Sequence, residues 1–192
     1  MMRLPLMLVL CTGALAQVPS LGKCPDLKVV QNFDVEKYMG TWYEVGQYFV
    51  LAELGGKCTT AKYSQNADGT INVLNSQINY LTGKSMSIEG IAKLVGESGE
   101  AKLSMSFPKL PSLVKGSVWI LDTDYESYAV VFSCQDFKLF NTKEARILTR
   151  ERIPSEEVLQ KAYKTFDASG FSRTFLIHTD QKKCNGVITN FA

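Results

Sequence analysis

The chain has little to do chemistry with. Its single histidine, His178, sits in the run Phe175-Leu176-Ile177-His178-Thr179, where a structural or exposed role is the expectation. A serine–histidine–acid relay would have to use it, and no nucleophile-elbow sequence is present. No glycine-rich phosphate cradle or dinucleotide fingerprint occurs either. The acids Glu44, Glu89, Asp122 and Asp124 are spaced without any pattern that sets a catalytic pair. An enzyme is therefore not expected. A metal centre is equally poorly served, because no two cysteines lie close in sequence and there is one histidine. Charge of one sign is missing too: 21 basic residues face 19 acidic ones, for a formal net charge of +2. That balance gives no basic face for nucleic acid. No apolar run reaches the roughly 20 residues that span a bilayer.

What is present at the start is a targeting pattern. Arg3 supplies the positive charge, residues 4–10 the apolar stretch, and Ala14-Leu15-Ala16 a small-x-small cleavage site. The reading is a leader over residues 1–16 and one domain over 17–192, secreted and extracellular. Cys11 leaves with the leader. Cys24, Cys58, Cys134 and Cys184 remain, an even number in an oxidising compartment, which predicts two disulfides. Spacing alone leaves three pairings open.

From Trp42 onward, short β-prone runs alternate with turn signals. Strands are predicted over 58–65, 70–80, 85–94, 101–107, 114–122, 128–133 and 144–149, after a first one opening at Trp42. Asn66-Ala67-Asp68-Gly69 and Leu81-Thr82-Gly83-Lys84 supply tight turns. Eight antiparallel strands make either a sandwich or a closed barrel, and spacing does not choose. One helix is predicted after Ser155, a good N-cap, with Glu156 and Glu157 at the favourable end of its dipole. Val158, Leu159, Ala162 and Phe166 fall on one face and Gly170 stops it. Residues 173–178 read as a last short strand.

Three stretches carry more than propensity. Gly40-Thr41-Trp42 puts a flexible residue before a large flat plug. Thr123-Asp124-Tyr125 follows a strand, and Leu148-Thr149-Arg150 ends one just before the helix. In this order and spacing they resemble the three signature regions of the lipocalins. Asn32-Phe33-Asp34-Val35-Glu36-Lys37-Tyr38, Trp119-Ile120-Leu121 and Asp124-Tyr125-Glu126-Ser127-Tyr128-Ala129 resemble the apolipoprotein D, insect bilin-binding and Lazarillo-type branch. The resemblance runs over residues 23–184. It implies an all-β, eight-stranded antiparallel up-and-down barrel with one C-terminal helix packed outside. It also implies the pairings Cys24–Cys134 and Cys58–Cys184, and Arg150 packed over Trp42 at the closed end.

The barrel so implied is a container for a small hydrophobic ligand: a fatty acid, sterol, retinoid, carotenoid or bilin. No cofactor is expected beyond a bilin, carotenoid or retinoid bound as that ligand. With Arg150 inside, strand alternation turns Leu148 and Arg146 inward. Arg146 then offers a cation to an anionic ligand such as a carboxylate, or pairs with an internal acid, or bends to solvent. The resemblance places Val73, Asn75 and Gln77 on the pocket side. Tyr63, Val118, Ile120 and Phe132 are further lining candidates. Two apolar loops, 48–54 with Tyr48, Phe49 and Leu51, and 107–113 with Phe107 and Leu110, are expected at the mouth. They pack over the cavity or dock on a membrane, lipoprotein or receptor. A pigmented protein and an empty-barrel interaction module, such as a protease inhibitor or immune effector, are the alternatives to a carrier.

Overall fold

Wherever the apolar–polar alternation runs, the chain is extended and paired antiparallel with its neighbour. A computed structural model describes residues 18–48, 55–97, 99–109, 115–137 and 139–185; the leader read at 1–16 lies outside them. The strands are β1 (Val18–Leu21), β2 (Gly40–Gln47), β3 (Gly56–Gln65), β4 (Ile71–Asn79), β5 (Ser85–Leu94), β6 (Lys102–Ser106), β7 (Lys115–Thr123), β8 (Tyr128–Asp136), β9 (Phe140–Thr149) and β10 (Ile177–His178). Strands β2 to β9 pair in sequence order, and β9 pairs back onto β2 through Tyr43↔Thr149 and Glu44↔Leu148. That last ladder closes an eight-stranded antiparallel barrel and leaves no long edge exposed. The added β1 lies along the mouth end of β9, and β10 along the mouth end of β2.

A four-residue helix, α1 (Val35–Tyr38), precedes β2 and was not foreseen; Asp34 caps it by accepting from the Lys37 backbone N–H. The longer α2 (Glu156–Ala168) starts at Ser155, whose hydroxyl accepts from the Val158 N–H. It stops where Gly170 takes φ +81°, a conformation open to glycine. Ala162 and Phe166 are fully buried. Phe166 meets Phe171 and Tyr48, and Phe171 stacks on Phe132 of β8. The helix therefore sits on the outer face of the barrel. Residues 173–178 are not one strand: Arg173–Phe175 is a 3-10 turn, and only Ile177–His178 pairs.

Both disulfides join the ends of the chain to the barrel wall. Cys24 is bonded to Cys134 and Cys58 to Cys184, across 110 and 126 residues. Closing loops of this length contributes about 4–5 kcal/mol each in the chain-entropy account.

The closed end is built by the three signature stretches together. Trp42 is wholly buried, its indole N–H donating to the Tyr38 carbonyl at 2.9 Å and its ring 5.0 Å from that of Tyr38. The Arg150 guanidinium lies 3.7 Å above the indole. It also donates to the carbonyls of Tyr125 (3.0 Å), Thr41 (3.1 Å) and Lys37 (2.9 Å). Gly40 has φ +96°, and a Cβ there would meet the Arg150 Nη1 at 3.2 Å. Glycine is needed on both counts. Thr123 ties the Tyr128 carbonyl and the Tyr125 N–H, while Asp124 accepts from the backbone N–H groups of Glu126, Ser127 and Tyr128. Arg150→Ala removes the cation over the ring and the shared donor of three carbonyls, two of them half-buried. A loss of about 2–4 kcal/mol is expected, read as a melting temperature lower by about 10 °C. An unchanged melting temperature would contradict this account of the closed end.

Candidate functional site

Trp42 fixes which side of each strand faces the barrel axis, because the ladders carry its parity around the wall. It pairs with Ala61, which pairs with Asn75, which pairs with Ile88. Two residues on, Tyr63 pairs with Val73 and Val73 with Gly90. Gln77 continues the same face of β4. On the far side, Leu148 pairs with Ala129 and with Glu44, and Arg146 pairs with Val131 and Gln47. Val131 pairs with Ile120, and Leu103 with Val118. Tyr63, Val73, Asn75, Gln77, Val118, Ile120, Arg146 and Leu148 thus share the inward face.

Phe132 does not. It pairs with Trp119 and Ala145 and stacks at 5.3 Å on Phe171, so it faces out beneath α2. The inward side chain is its neighbour Val131. Both are large and apolar, and a bulge between Ile120 and Asp122 in β7 breaks the parity that would have told them apart. Tyr48, expected at the mouth, also turns outward. Its ring makes edge contacts with Phe166 and Phe171, and its hydroxyl donates to the Ser172 carbonyl at 3.2 Å. Phe107 faces in: a Cβ on Gly90 would meet its ring at 3.1 Å. Phe49, Leu51 and Leu110 lie outside the described residues.

The inward face is divided. Toward the closed end it is Trp42, Tyr63, Ile71, Val73, Leu103 and Ile120, all buried. Burial pushes the Tyr63 phenol up to about 12, although nearby Arg146 pulls it down, and burial holds Tyr38 well above its usual value. Both stay neutral, as an apolar floor requires. Toward the mouth the face turns polar. Arg146 donates through Nη1 to Glu44 Oε2 at 3.0 Å, and through Nε and Nη2 to Glu144. Glu44 is 1% exposed and Arg146 22%. Of the fates open to Arg146, the structure shows pairing with internal acids. Arg146 is therefore not a cation held open for a ligand carboxylate.

Neither acid was singled out as an interior group from the sequence. Alternation would have found both, since Glu44 lies two residues past Trp42 and Glu144 two before Arg146. The C-terminal segment completes the cluster. Thr179 donates to Glu44 Oε1 at 2.6 Å, and Gln181 Nε2 donates to the carbonyls of Glu44 (2.9 Å) and Thr59 (2.7 Å). This segment fills the gap where β2 and β3 diverge beyond Tyr43↔Thr60.

Ala61, Gly90, Ala92, Gly116 and Ala129 are small at inward positions. Ala61, Asn75, Gln77, Ile88 and Val118 keep partial exposure although they face the axis. At the rim, Leu81 is 89% and Leu139 82% exposed, with Tyr80 and Phe137 beside them in the same turns. Among the described residues, no three His, Cys, Asp or Glu side chains gather as a metal site. His178 is exposed on β10.

A half-buried guanidinium shared by two buried carboxylates is costly to break from one side. Arg146→Met should lower stability by about 3–5 kcal/mol, and adding Glu144→Gln should restore part of the loss. Thermal unfolding of the two single variants and the double variant measures the coupling; strictly additive losses would mean that the pair does not interact.

The comparisons with known proteins agree with this geometry. A family model described as a lipocalin-like domain matches residues 33–181. Apolipoprotein D of Mus musculus is 37% identical over 176 residues, covering 91% of each chain. The Lazarillo protein of Schistocerca americana is 34% identical over 158 residues, 80% of this chain and 72% of that one. The solved structure of insecticyanin from the tobacco hornworm Manduca sexta superposes with a TM-score of 0.74 at 26% identity, covering 87% of this chain and 90% of that one. With its closed barrel, outer helix and signature latch, the chain belongs to the lipocalin family, whose members bind small hydrophobic ligands.

Proposed function

We propose that the protein is a secreted, extracellular carrier that holds one small hydrophobic molecule inside the barrel, with no catalytic role. The observation that carries this reading is the inward face itself: a buried apolar floor, small side chains at its waist, and inward residues that keep partial exposure. A ligand burying about 300 Å2 of apolar surface there gains about 7–8 kcal/mol before association costs. Two disulfides joining the chain ends to the wall suit an oxidising compartment. Tyr63, Val73, Val118, Ile120 and Leu148 are the apolar contacts in this reading. Asn75 and Gln77 supply hydrogen bonds, and Phe107 closes over Gly90. A bilin or carotenoid cargo would show as visible absorbance of the native protein, and an empty-barrel module would release no lipid on extraction.

The test is titration with an apolar dye whose emission rises on leaving water. One molecule should bind per chain, and Ala61→Trp or Val118→Trp, each filling the waist, should cut affinity at least 10-fold while the fold persists by circular dichroism. Equal binding to all three proteins would place the dye on the surface and refute the reading.

The exposed rim supports a further part of it, that the mouth loads and unloads against a lipid surface. Leu81 and Leu139 stand clear of the barrel on the β4–β5 and β8–β9 turns, on opposite sides of the mouth. Neutral phosphatidylcholine vesicles should retain the protein on flotation, and Leu81→Asp with Leu139→Asp should release it. Retention of the double variant would exclude these turns as the contact.

A further inference from the structure

The polar half of the barrel interior has more acids than cations, and this bears on which head group a cargo carries. Among inward positions of the described strands there is one cation, Arg146, and two acids, Glu44 and Glu144. Arg146 directs Nη1 at Glu44, and Nε and Nη2 at Glu144. A second observation is independent of charge. Thr142, on the same face of β9 as Glu144 and two residues away, is 3% exposed, and its hydroxyl has no hydrogen-bond partner. The Gln77 Oε1, inward on β4, is likewise buried without one. A buried polar atom left in this state is costly, and a ligand that satisfies it recovers the cost.

Resting on the carrier reading above, we propose that the barrel takes an amphiphile tail first and receives a cationic, hydrogen-bond-donating head, an alkyl ammonium, at Glu144, Thr142 and Gln77 in preference to a carboxylate. A carboxylate can only accept hydrogen bonds. It would bring a third anion to a cluster with one cation, and it would leave Gln77 Oε1 unmet. An ammonium carries three donors and balances the cluster's charge. The division of the inward face sets the orientation: the apolar floor lies at the closed end, and the acids lie toward the mouth.

The experiment is displacement of the neutral dye N-phenyl-1-naphthylamine by dodecylamine, dodecanol and laurate, each below its micelle concentration at pH 7.4. The expected order is amine, then alcohol, then acid, with the amine at least 10-fold tighter than the acid. Glu144→Gln should bring the amine-to-acid ratio to about one by weakening the amine and strengthening the acid. Thr142→Val keeps side-chain volume and charge, so it tests the head-group site where the charge variant does not fold; it should weaken the amine about 3-fold and more than it weakens the acid. Laurate binding as tightly as dodecylamine to the unaltered protein overturns the proposal while leaving the carrier reading intact. So does a folded Glu144→Gln whose ratio is unchanged. Failure of the dye to bind at all removes the carrier reading, and this inference with it.

Discussion

The barrel depends on a ring held between two partners. Trp42 lies against Tyr38 on one side and under the Arg150 guanidinium on the other. The guanidinium in turn holds carbonyls from three separate stretches, at Lys37, Thr41 and Tyr125. An eight-stranded barrel has an interior that side chains can just fill or that can hold one small ligand. One end must be plugged if the other is to stay open. The plug uses a short helix, a glycine with positive φ and a bent turn, and each residue in it answers to another. For this reason the three signature stretches, far apart in sequence, behave as one unit.

Above the plug the interior does not follow a simple apolar rule. Two carboxylates and a guanidinium are taken from water, and desolvation makes such a cluster a poor source of stability by itself. What keeps it in place is the number of hydrogen bonds it gathers. Glu44 is met by Arg146 and by Thr179 from the other end of the chain, while Gln181 anchors that segment on the Glu44 and Thr59 carbonyls. The Cys58–Cys184 disulfide pins the same segment. The C-terminal stretch is thus part of the barrel wall where β2 and β3 separate. The polar cluster and the covalent link support each other.

Much of this was legible in the sequence because it rests on local chemistry. Turn residues between β-prone runs marked seven strands to within a few residues; β9 was the exception, extending back to Phe140. Ser155, the paired glutamates and Gly170 marked the helix with both of its ends. The signature spacing pointed to the latch between Trp42 and Arg150. It also pointed to the cysteine pairings that spacing alone left open. Parity anchored at Arg150 put Arg146 and Leu148 inside, since a strand alternates whatever surrounds it.

Tertiary structure decided what alternation could not carry. The bulge at Ile120/Asp122 shifts the register of β7 against β8, so Phe132 went under the helix and Val131 to the interior. Tyr48 follows the inward Gln47 and therefore turns out, toward Phe166 and Phe171, which lie more than a hundred residues away. Arg146 met Glu44 across a separation of 102 residues, a contact made by the closing ladder between β9 and β2. By itself the sequence determined the eight barrel strands, the outer helix and the inward turn of Arg146, while β1, α1 and the interior places of Glu44 and Glu144 went unmarked. Glu144 lies two residues from Arg146 on the same strand, but Glu44 joins them only when the sheet closes, because closure brings the two end strands, and the charges on them, within reach.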